Sequence, residues 1–541
     1  MEKSIVMTGK SSSTGRRLLS ASVLRLGNLI VAAVVSLFLM PFIVHHLGDR
    51  LYGFWSLATA YIGYYGLLDL GLSSAVSQYI CMAIGRNDRA ECGNVFNVAL
   101  RIQSLFAGVA LLATGTIAAA APWFCRNPAD AALFWRVIVI LGVNAAIGFP
   151  VRVYQGVLDA ELRFDIQSWL ATLGLALRAG LIVWAILAGG GLLALAWMTL
   201  LATLPVVALQ IWLARREAPW ARIDKMLIER KSVKGLFPYS FYTLLASIAD
   251  TLRFQIDPLV ITGFVGLVAV THYRVASVFM RYYIDAVYSS IGAFQQVLSR
   301  LHGAGDRTGV ERVFLFATKV SICISVFIGV SLILWGKPFI SRWMGAKYED
   351  AYGPMVALSL AVLLDVVQSP SINLLYATIN HRFYAYANWA EGIINLLFSL
   401  ALARPLGILG VALGTLIGAL VVRVGVQPWW VCKAVGLDYG RYMRFLARNL
   451  VRCGCLTGAA MAISAWGLKP SYSHMVTSAI CATAGYAAGS WFLVFSGSER
   501  QQLQAAIANR NQKGLELAAV VAALSSETPR LSRLSFDDLE S

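Results

Sequence analysis

Leu24-Arg25-Leu26-Gly27-Asn28-Leu29-Ile30-Val31-Ala32-Ala33-Val34-Val35-Ser36-Leu37-Phe38-Leu39-Met40-Pro41-Phe42-Ile43-Val44 carries a single charge, on Arg25 at its edge. A helix needs roughly 20 apolar residues to cross a hydrocarbon core about 30 Å thick, and this run meets that length. It exceeds the apolar core of a secretory signal, and Pro41-Phe42-Ile43-Val44 offers no small-residue cleavage pattern, so a retained membrane helix is expected. Comparable runs recur at about 52–83, 94–120, 135–157, 168–188, 192–213, 237–263, 268–298, 313–335, 355–379, 388–403, 410–431, 450–467 and 476–496, fourteen in all. The fold class expected is therefore an all-α polytopic membrane protein with about 14 transmembrane helices.

Composition points the same way. Of 541 residues, 58% are hydrophobic and 13% charged, about half the roughly 25% charge of a soluble domain, and the mean hydropathy is +0.67. The formal net charge of +17 would suggest nucleic acid in a soluble protein; here it is read as a loop excess, and no nucleic-acid partner is expected. The eight cysteines are scattered without a C-x-x-C pair, which indicates neither a disulfide framework nor a zinc site.

Counted on alternate sides of the spans, about 28 Lys and Arg fall on the side of the N-terminus and about 7 on the other (Arg50, Arg126, Lys337, Arg342, Lys347, Arg404, Lys469). The positive-inside rule then predicts cytoplasmic N- and C-termini. The longest basic loop, 214–236, holds Arg215, Arg216, Arg222, Lys225, Arg230, Lys231 and Lys234 and separates two sets of six helices. The organisation expected is an N-terminal cytoplasmic segment 1–23, an N-lobe 24–213, the basic linker 214–236, a C-lobe 237–431, additional helices 432–496 and a partly disordered cytoplasmic tail 497–541. Each lobe opens alike: Leu47-Gly48 through Asp69 to Gly85-Arg86-Asn87-Asp88, and Val265-Gly266 through Asp285 to Gly303-Ala304-Gly305-Asp306. Six helices separate the two openings, so the repeats are parallel, related by a pseudo-two-fold along the membrane normal.

Ten cations lie inside or at the edges of spans. Arg136, Arg178, Arg423 and Arg452 are read as snorkelling to headgroups. Deeper ones usually face a partner or a wet cavity, because a cation at the bilayer centre costs roughly 2.5–3.5 kcal/mol on insertion scales. Asp250, Arg253 and Asp257 share one helical face at i, i+3 and i+7, and Arg274, Arg281 and Asp285 form a second stripe extended by Tyr288. Two readings stand: a structural ion-pair seam, or a hydrated cavity whose guanidinium forks match phosphate oxygens. Under the second, Arg253, Arg274, Arg281, Arg101, Arg152 and Arg25 bind substrate, and Asp69, Asp250, Asp257 and Asp285 serve ion coupling or cavity ion pairs.

Gly410, Gly414 and Gly418 form a doubled G-x-x-x-G that lets another helix approach closely, and Pro150, Pro205 and Pro370 mark places where helices can bend. His45-His46 reads as interfacial. Gly9-Lys10-Ser11 fails as a P-loop, since Ser4 stands where the first glycine belongs. No H-E-x-x-H or G-x-S-x-G occurs, and the longest outer loop, about 336–354, has one acidic pair, Glu349-Asp350. These features argue against an enzyme and leave a membrane-embedded glycosyltransferase or polymerase as the rival from another class.

The segment Asn28 to Asp88, with Pro41-Phe42-Ile43-Val44, Leu47-Gly48, Tyr52-Gly53-Phe54-Trp55 and Leu67-Leu68-Asp69-Leu70-Gly71-Leu72, resembles the polysaccharide flippase family (O-antigen or Wzx-like) of the multidrug/oligosaccharidyl-lipid/polysaccharide (MOP) superfamily. Ile256-Asp257-Pro258-Leu259-Val260-Ile261-Thr262-Gly263 followed by Tyr273-Arg274-Val275-Ala276 extends the resemblance. It implies a MATE-like V of two six-helix lobes lined by helices one, two, seven and eight, in a bacterial cytoplasmic (inner) membrane. It also implies alternating-access flipping of an undecaprenyl-pyrophosphate-linked oligosaccharide for surface polysaccharide such as O-antigen, lipopolysaccharide or exopolysaccharide. Partners implied are the lipid-linked glycan, membrane lipids, a polysaccharide polymerase and glycosyltransferases, with no cofactor beyond coupling to an H+ or Na+ gradient. A lipid II flippase and a drug or metabolite antiporter are the alternatives within the superfamily; a cation-rich lining disfavours the antiporter.

Overall fold

A computed structural model describes residues 11–501, apart from 70–78, 82, 85, 87, 125–127, 162, 224–247, 249–254, 378–380, 466–471 and 498. The described chain is helical: α1 (Ser11–Leu47), α2 (Asp49–Gly63), α3 (Arg89–Ala119), α4 (Pro128–Ala160), α5 (Phe164–Leu187), α6 (Leu192–Glu217), α7 (Asp257–Phe264) and α8 (Leu267–Ile291). There follow α9 (Ala293–Gly303), α10 (Arg307–Trp343), α11 (Tyr352–Val367), α12 (Ser369–Ala377), α13 (His381–Ala419), α14 (Gln427–Val435), α15 (Tyr439–Ala465) and α16 (Tyr472–Leu493). Eight stretches among the described residues are long and apolar enough to cross a membrane. The chain is a multi-pass membrane protein. Two compact units divide within α8, at 274/275.

In the first unit α4 packs on α3 and α6, and α5 packs between α1 and α6. Phe96 and Tyr154 meet edge to face at 5.3 Å in one buried core; Phe54, Phe134, Ile138 and Leu141 fill another. Gly142 lets α4 close on α3, since a Cβ there would stand 2.8 Å from Cβ of Thr114. The outer faces carry tryptophans: Trp169 and Trp184 on α5, and Trp197 and Trp212 on α6, are each 48–63% exposed. Both pairs are fifteen residues apart, about 22 Å along a helix axis, one tryptophan toward each end of its helix. Pro150 and Pro205 lie within continuous helices.

In the second unit α10 packs on α11 and α15, and α15 on α16. The tenth span is two helices, α11 and α12, broken at Gln368 two residues before Pro370. The eleventh and twelfth spans form α13, whose two arms reverse at Gly407 (φ 58°, ψ −135°), a backbone conformation that glycine tolerates. The arms pack antiparallel along the glycine stripe: a Cβ at Gly414 would lie 2.6 Å from the amide nitrogen of Ser399, and one at Gly418 3.0 Å from the carbonyl oxygen of Glu391. The doubled G-x-x-x-G thus seats the chain's own preceding helix. A π-helical turn, Leu420–Val426, joins α13 to α14.

The parallel openings read from the sequence converge on one local device. Asp88 caps α3 by accepting from the amide of Glu91 at 3.0 Å, and Asp306 caps α10 by accepting from that of Gly309 at 2.9 Å. α3 and α10 are thus started by the same carboxylate geometry. Most of the seventh span, of the basic linker and of the C-terminal tail lies outside the described residues.

Candidate functional site

Within the first unit, α2 is seated against α7 and the start of α8. Gly53 allows this, because a Cβ there would stand 3.0 Å from the carbonyl carbon of Leu267. Thr271 Oγ1 donates to the backbone oxygen of Asp49 at 2.6 Å, and His272 Nε2 lies 4.0 Å from the Asp49 carboxylate. Along this seam sit two of the residues singled out from the sequence. Asp257, 6% exposed at the first turn of α7, accepts from Tyr273 Oη at 2.5 Å, and its Oδ1 has no hydrogen bond. Arg274 is exposed on α8 and its guanidinium bonds the hydroxyl of buried Tyr52. The seam therefore carries a guanidinium bonded to the phenol of Tyr52 and a buried carboxyl bonded to the phenol of Tyr273.

The other candidates are placed singly. Arg101 is exposed on α3, and Arg152 on α4 lies over the ring of Phe149 at 4.9 Å. In the second unit Arg281 pairs with Asp285 one turn on, Nε to Oδ2 2.9 Å, with the arginine side chain 80% exposed. This pairing occupies Nε. Arg25 lies in α1 and Asp69 ends the 3-10 turn Tyr64–Asp69, while the side chains of both are outside the described residues. Asp250 and Arg253 also lie outside them.

A second polar centre escaped the sequence reading. Arg423, expected to snorkel, is 0% exposed. Its Nε stands 3.1 Å from Asp365 Oδ1 and its Nη2 2.8 Å from Glu391 Oε2, with both acids 3% exposed or less. Nη1 donates to Gln427 Oε1 at 2.5 Å and Nη2 to Asn388 Oδ1 at 2.7 Å. The correction has a physical cause: the π turn after α13 aims position 423 at α11 and the first arm of α13, where two carboxylates meet it. Asp365 and Glu391 are single acids in the tenth and eleventh spans, so listing intramembrane acids beside the cations would have found the partners. Elsewhere in this unit Lys319 is buried against Glu499, Nζ to Oε1 2.9 Å.

Comparisons place this architecture. The model of a family described as polysaccharide biosynthesis protein matches residues 47–353. The membrane protein EpsK of Bacillus subtilis (strain 168) is 20% identical over 485 residues, 87% of this chain and 94% of its own. The teichuronic acid biosynthesis protein TuaB of the same organism is 23% identical over 354 residues, 63% of this chain and 67% of its own. Among solved structures, an inward-facing multidrug resistance MATE family transporter of the MOP superfamily superposes with a TM-score of 0.67 at 17% identity, covering 77% of this chain and 98% of that one. A MOP superfamily transporter from Pyrococcus furiosus, described as having a binding pocket of reversed polarity, gives 0.60 at 16% identity, covering 80% and 99%. The chain belongs to the polysaccharide biosynthesis protein family and has the fold of MOP-superfamily transporters.

Proposed function

We propose that the protein is a flippase that carries an undecaprenyl-pyrophosphate-linked oligosaccharide across a bacterial cytoplasmic membrane by alternating access, supplying surface polysaccharide synthesis. The observation that carries this reading is the join of a polysaccharide biosynthesis family with a transporter fold. Exposed guanidiniums on membrane helices, Arg101, Arg274 and Arg281, supply what an anionic head group needs. Arg253, Arg152 and Arg25 belong to the same proposed set, and Asp69, Asp250, Asp257 and Asp285 are the groups through which an H+ or Na+ gradient would couple. The charge bias of the loops supports cytoplasmic termini, and the end products of glycosyltransferases and the substrate of a polymerase are the natural chemical neighbours of such a step. A drug antiporter of the same fold is disfavoured because a cationic substrate would meet those arginines.

The test is reconstitution in liposomes with a fluorescent undecaprenyl-pyrophosphate-linked glycan, reading the fraction protected from a membrane-impermeant quencher, with and without a pH or Na+ gradient. Protein-dependent translocation that falls to the empty-liposome rate in the double variant Arg274→Ala, Arg281→Ala is expected. No translocation above empty liposomes would overturn the reading.

A further inference from the structure

Arg178 stands fifteen residues into α5, nine residues beyond Trp169 and six before Trp184. On the axis of the helix it is about 13 Å and 9 Å from these two tryptophans, near the middle of a 24-residue helix long enough to span the hydrocarbon core. Its side chain is exposed, and the helix turn sets it apart from the outward tryptophan Trp169. Nine residues are two and a half turns, so Arg178 points opposite to Trp169. It borders a cavity of about 540 Å³ within the first unit, walled by α1, α5 and α6 and floored by Gln155 of α4.

All three walls turn the same way. On α6, Val206 lines the cavity nine residues from exposed Trp197; on α1, Asn28 and Ala32 line it while Ile30 and Val34, 61% and 49% exposed, face about 200° away. The cavity lies on the side of these helices away from Trp169, Trp197, Ile30 and Val34, and it is open, since Gln155, Ala171 and Arg178 that line it are exposed. Its volume falls in the range of small-molecule sites, roughly 300–1,000 Å³. Gln155, Gln167, Gln210, Asn28 and Thr172 give it an amide and hydroxyl lining, and no carboxylate lines it among the described residues. Scaffold bonds fix these groups: Gln167 Nε2 donates to Asp159 Oδ1 at 2.9 Å, Asn28 Nδ2 to the Ser168 oxygen at 2.9 Å, and Gln210 Nε2 to the Val151 oxygen at 3.4 Å. Arg178 itself has no hydrogen-bond or ion-pair partner among the described residues. A guanidinium so deep in a membrane helix without an acid is costly unless a ligand or water supplies its acceptors.

We propose that this crevice binds an acidic sugar, a hexuronate or similarly carboxylated unit, with the carboxylate on Arg178 and the hydroxyls on the amides of Gln155, Gln167 and Gln210. Amide oxygens and nitrogens fixed at several points suit vicinal hydroxyls, and one guanidinium fork suits one carboxylate. A phospholipid or polyprenyl phosphate is the poorer fit, because its chains offer nothing to the amides of Gln155, Gln167 and Gln210, which sugar hydroxyls can meet. The inference rests on the flippase reading in taking the glycan as the ligand. From Gln167 to Arg178 the crevice reaches about 16 Å along α5.

The test places Ala171→Cys, which lines the crevice, in a background with the eight native cysteines replaced, and follows its modification by a charged methanethiosulfonate in purified protein. Modification is expected, and the disaccharide cellobiouronate at about four times its dissociation constant should slow it about fivefold. Cellobiose and inorganic phosphate should leave the rate unchanged. Arg178→Gln should abolish the slowing while modification persists. Gly174→Leu, whose Cβ would meet Val206 at an ordinary 3.5 Å, should also abolish it with the arginine intact. An unreactive cysteine, equal slowing by cellobiose or phosphate, or slowing that survives Arg178→Gln would overturn the proposal. Uronate protection with no glycan flipping would keep this site and remove the flippase reading; flipping without protection would do the reverse.

Discussion

Removing the Arg423 side chain while keeping its volume, as in Arg423→Met, leaves Asp365 and Glu391 buried with no cation between them. Breaking a buried pair by deleting one partner costs about 3–5 kcal/mol, largely the penalty of the stranded charge. Here one guanidinium serves two carboxylates, so the loss should sit at the upper end of that range. Glu391→Gln removes one of the two acids and leaves a matched pair with Asp365, and should cost about 1 kcal/mol or less, the net worth of an ordinary hydrogen bond. Adding Asp365→Asn and Glu391→Gln to Arg423→Met should restore most of the stability. At ~2–3 °C per kcal/mol for a unit of this size, Arg423→Met should lower the melting temperature of detergent-purified protein by roughly 10–15 °C. The assay is size-exclusion recovery after heating, read at a fixed heating time because unfolding of such proteins is irreversible. If Arg423→Met melts with the wild type, or Glu391→Gln is as damaged as Arg423→Met, charge compensation is not what holds this centre.

Gly414→Leu should prevent accumulation of folded protein, because its first side-chain carbon would lie 2.6 Å from backbone at Ser399 and backbone cannot step aside as a rotamer can; Gly425→Leu, with open space around it, should be tolerated. Asp306→Ala should lower stability by ~1 kcal/mol through loss of the α10 cap. The Gly309 amide, then the Thr308 hydroxyl, hold the Asp306 carboxyl below its usual range, so that contribution is present above the unfolded-state value and fades as pH falls through the lowered one; melting curves of wild type and variant should converge in acid. Impermeant labels at cysteines in 214–236 and near the C-terminus should react from the cytoplasmic side, and one in 336–354 from outside; a shared side for the last two would void the crossing count.

What the sequence made legible follows period and length. The first, third, fourth, fifth and sixth spans coincide with α1 and α3–α6 because each is a long apolar run and lipid leaves the backbone no alternative to a helix, whereas the expected second span, 52–83, is helical only to Gly63 before the 3-10 turn Tyr64–Asp69. The glycine stripe 410–418 announced a close packing, though not that its partner is the arm just before Gly407. Charge was harder. Position within a span tells how deep a side chain starts, and it does not tell which way the helix is rotated; Arg178 and Arg423 both looked like end-of-helix cations, and Arg423 is fully buried while Arg178 is exposed and borders a crevice. For Arg423 the missing information was the π turn, a backbone feature with no residue signature. For the stripe Asp250, Arg253, Asp257, spacing suggested an acid-base ladder, while the hydrogen bond of Asp257 comes from Tyr273, a residue of the next helix that no periodicity within its own could name.

The two units deal differently with cations placed deep among their helices. In the second, Lys319 and Arg423 are nearly or fully buried and each is met by carboxylates from distant parts of the chain, Glu499 for the first and Asp365 with Glu391 for the second. Such closed pairs are satisfied without a ligand and serve to fix one arrangement of helices. In the first unit Arg178 borders a crevice lined by amides and apolar side chains, with no acid among the described residues of its walls. An arginine that a protein intends for packing is neutralised by the protein; one left to amides and water keeps its full affinity for an anion from outside. The division argues that the crevice of α1, α5 and α6 adds a site for an anion to the exposed arginines of α3 and α8, and that the charged centre of α11 and α13 is structural. The consequence is separable by substitution: Arg178→Gln should leave the melting temperature within about 2 °C of wild type while changing what the crevice binds, whereas Arg423→Met should do the opposite, because a surface or cavity change away from a paired network is worth about half a kcal/mol or less.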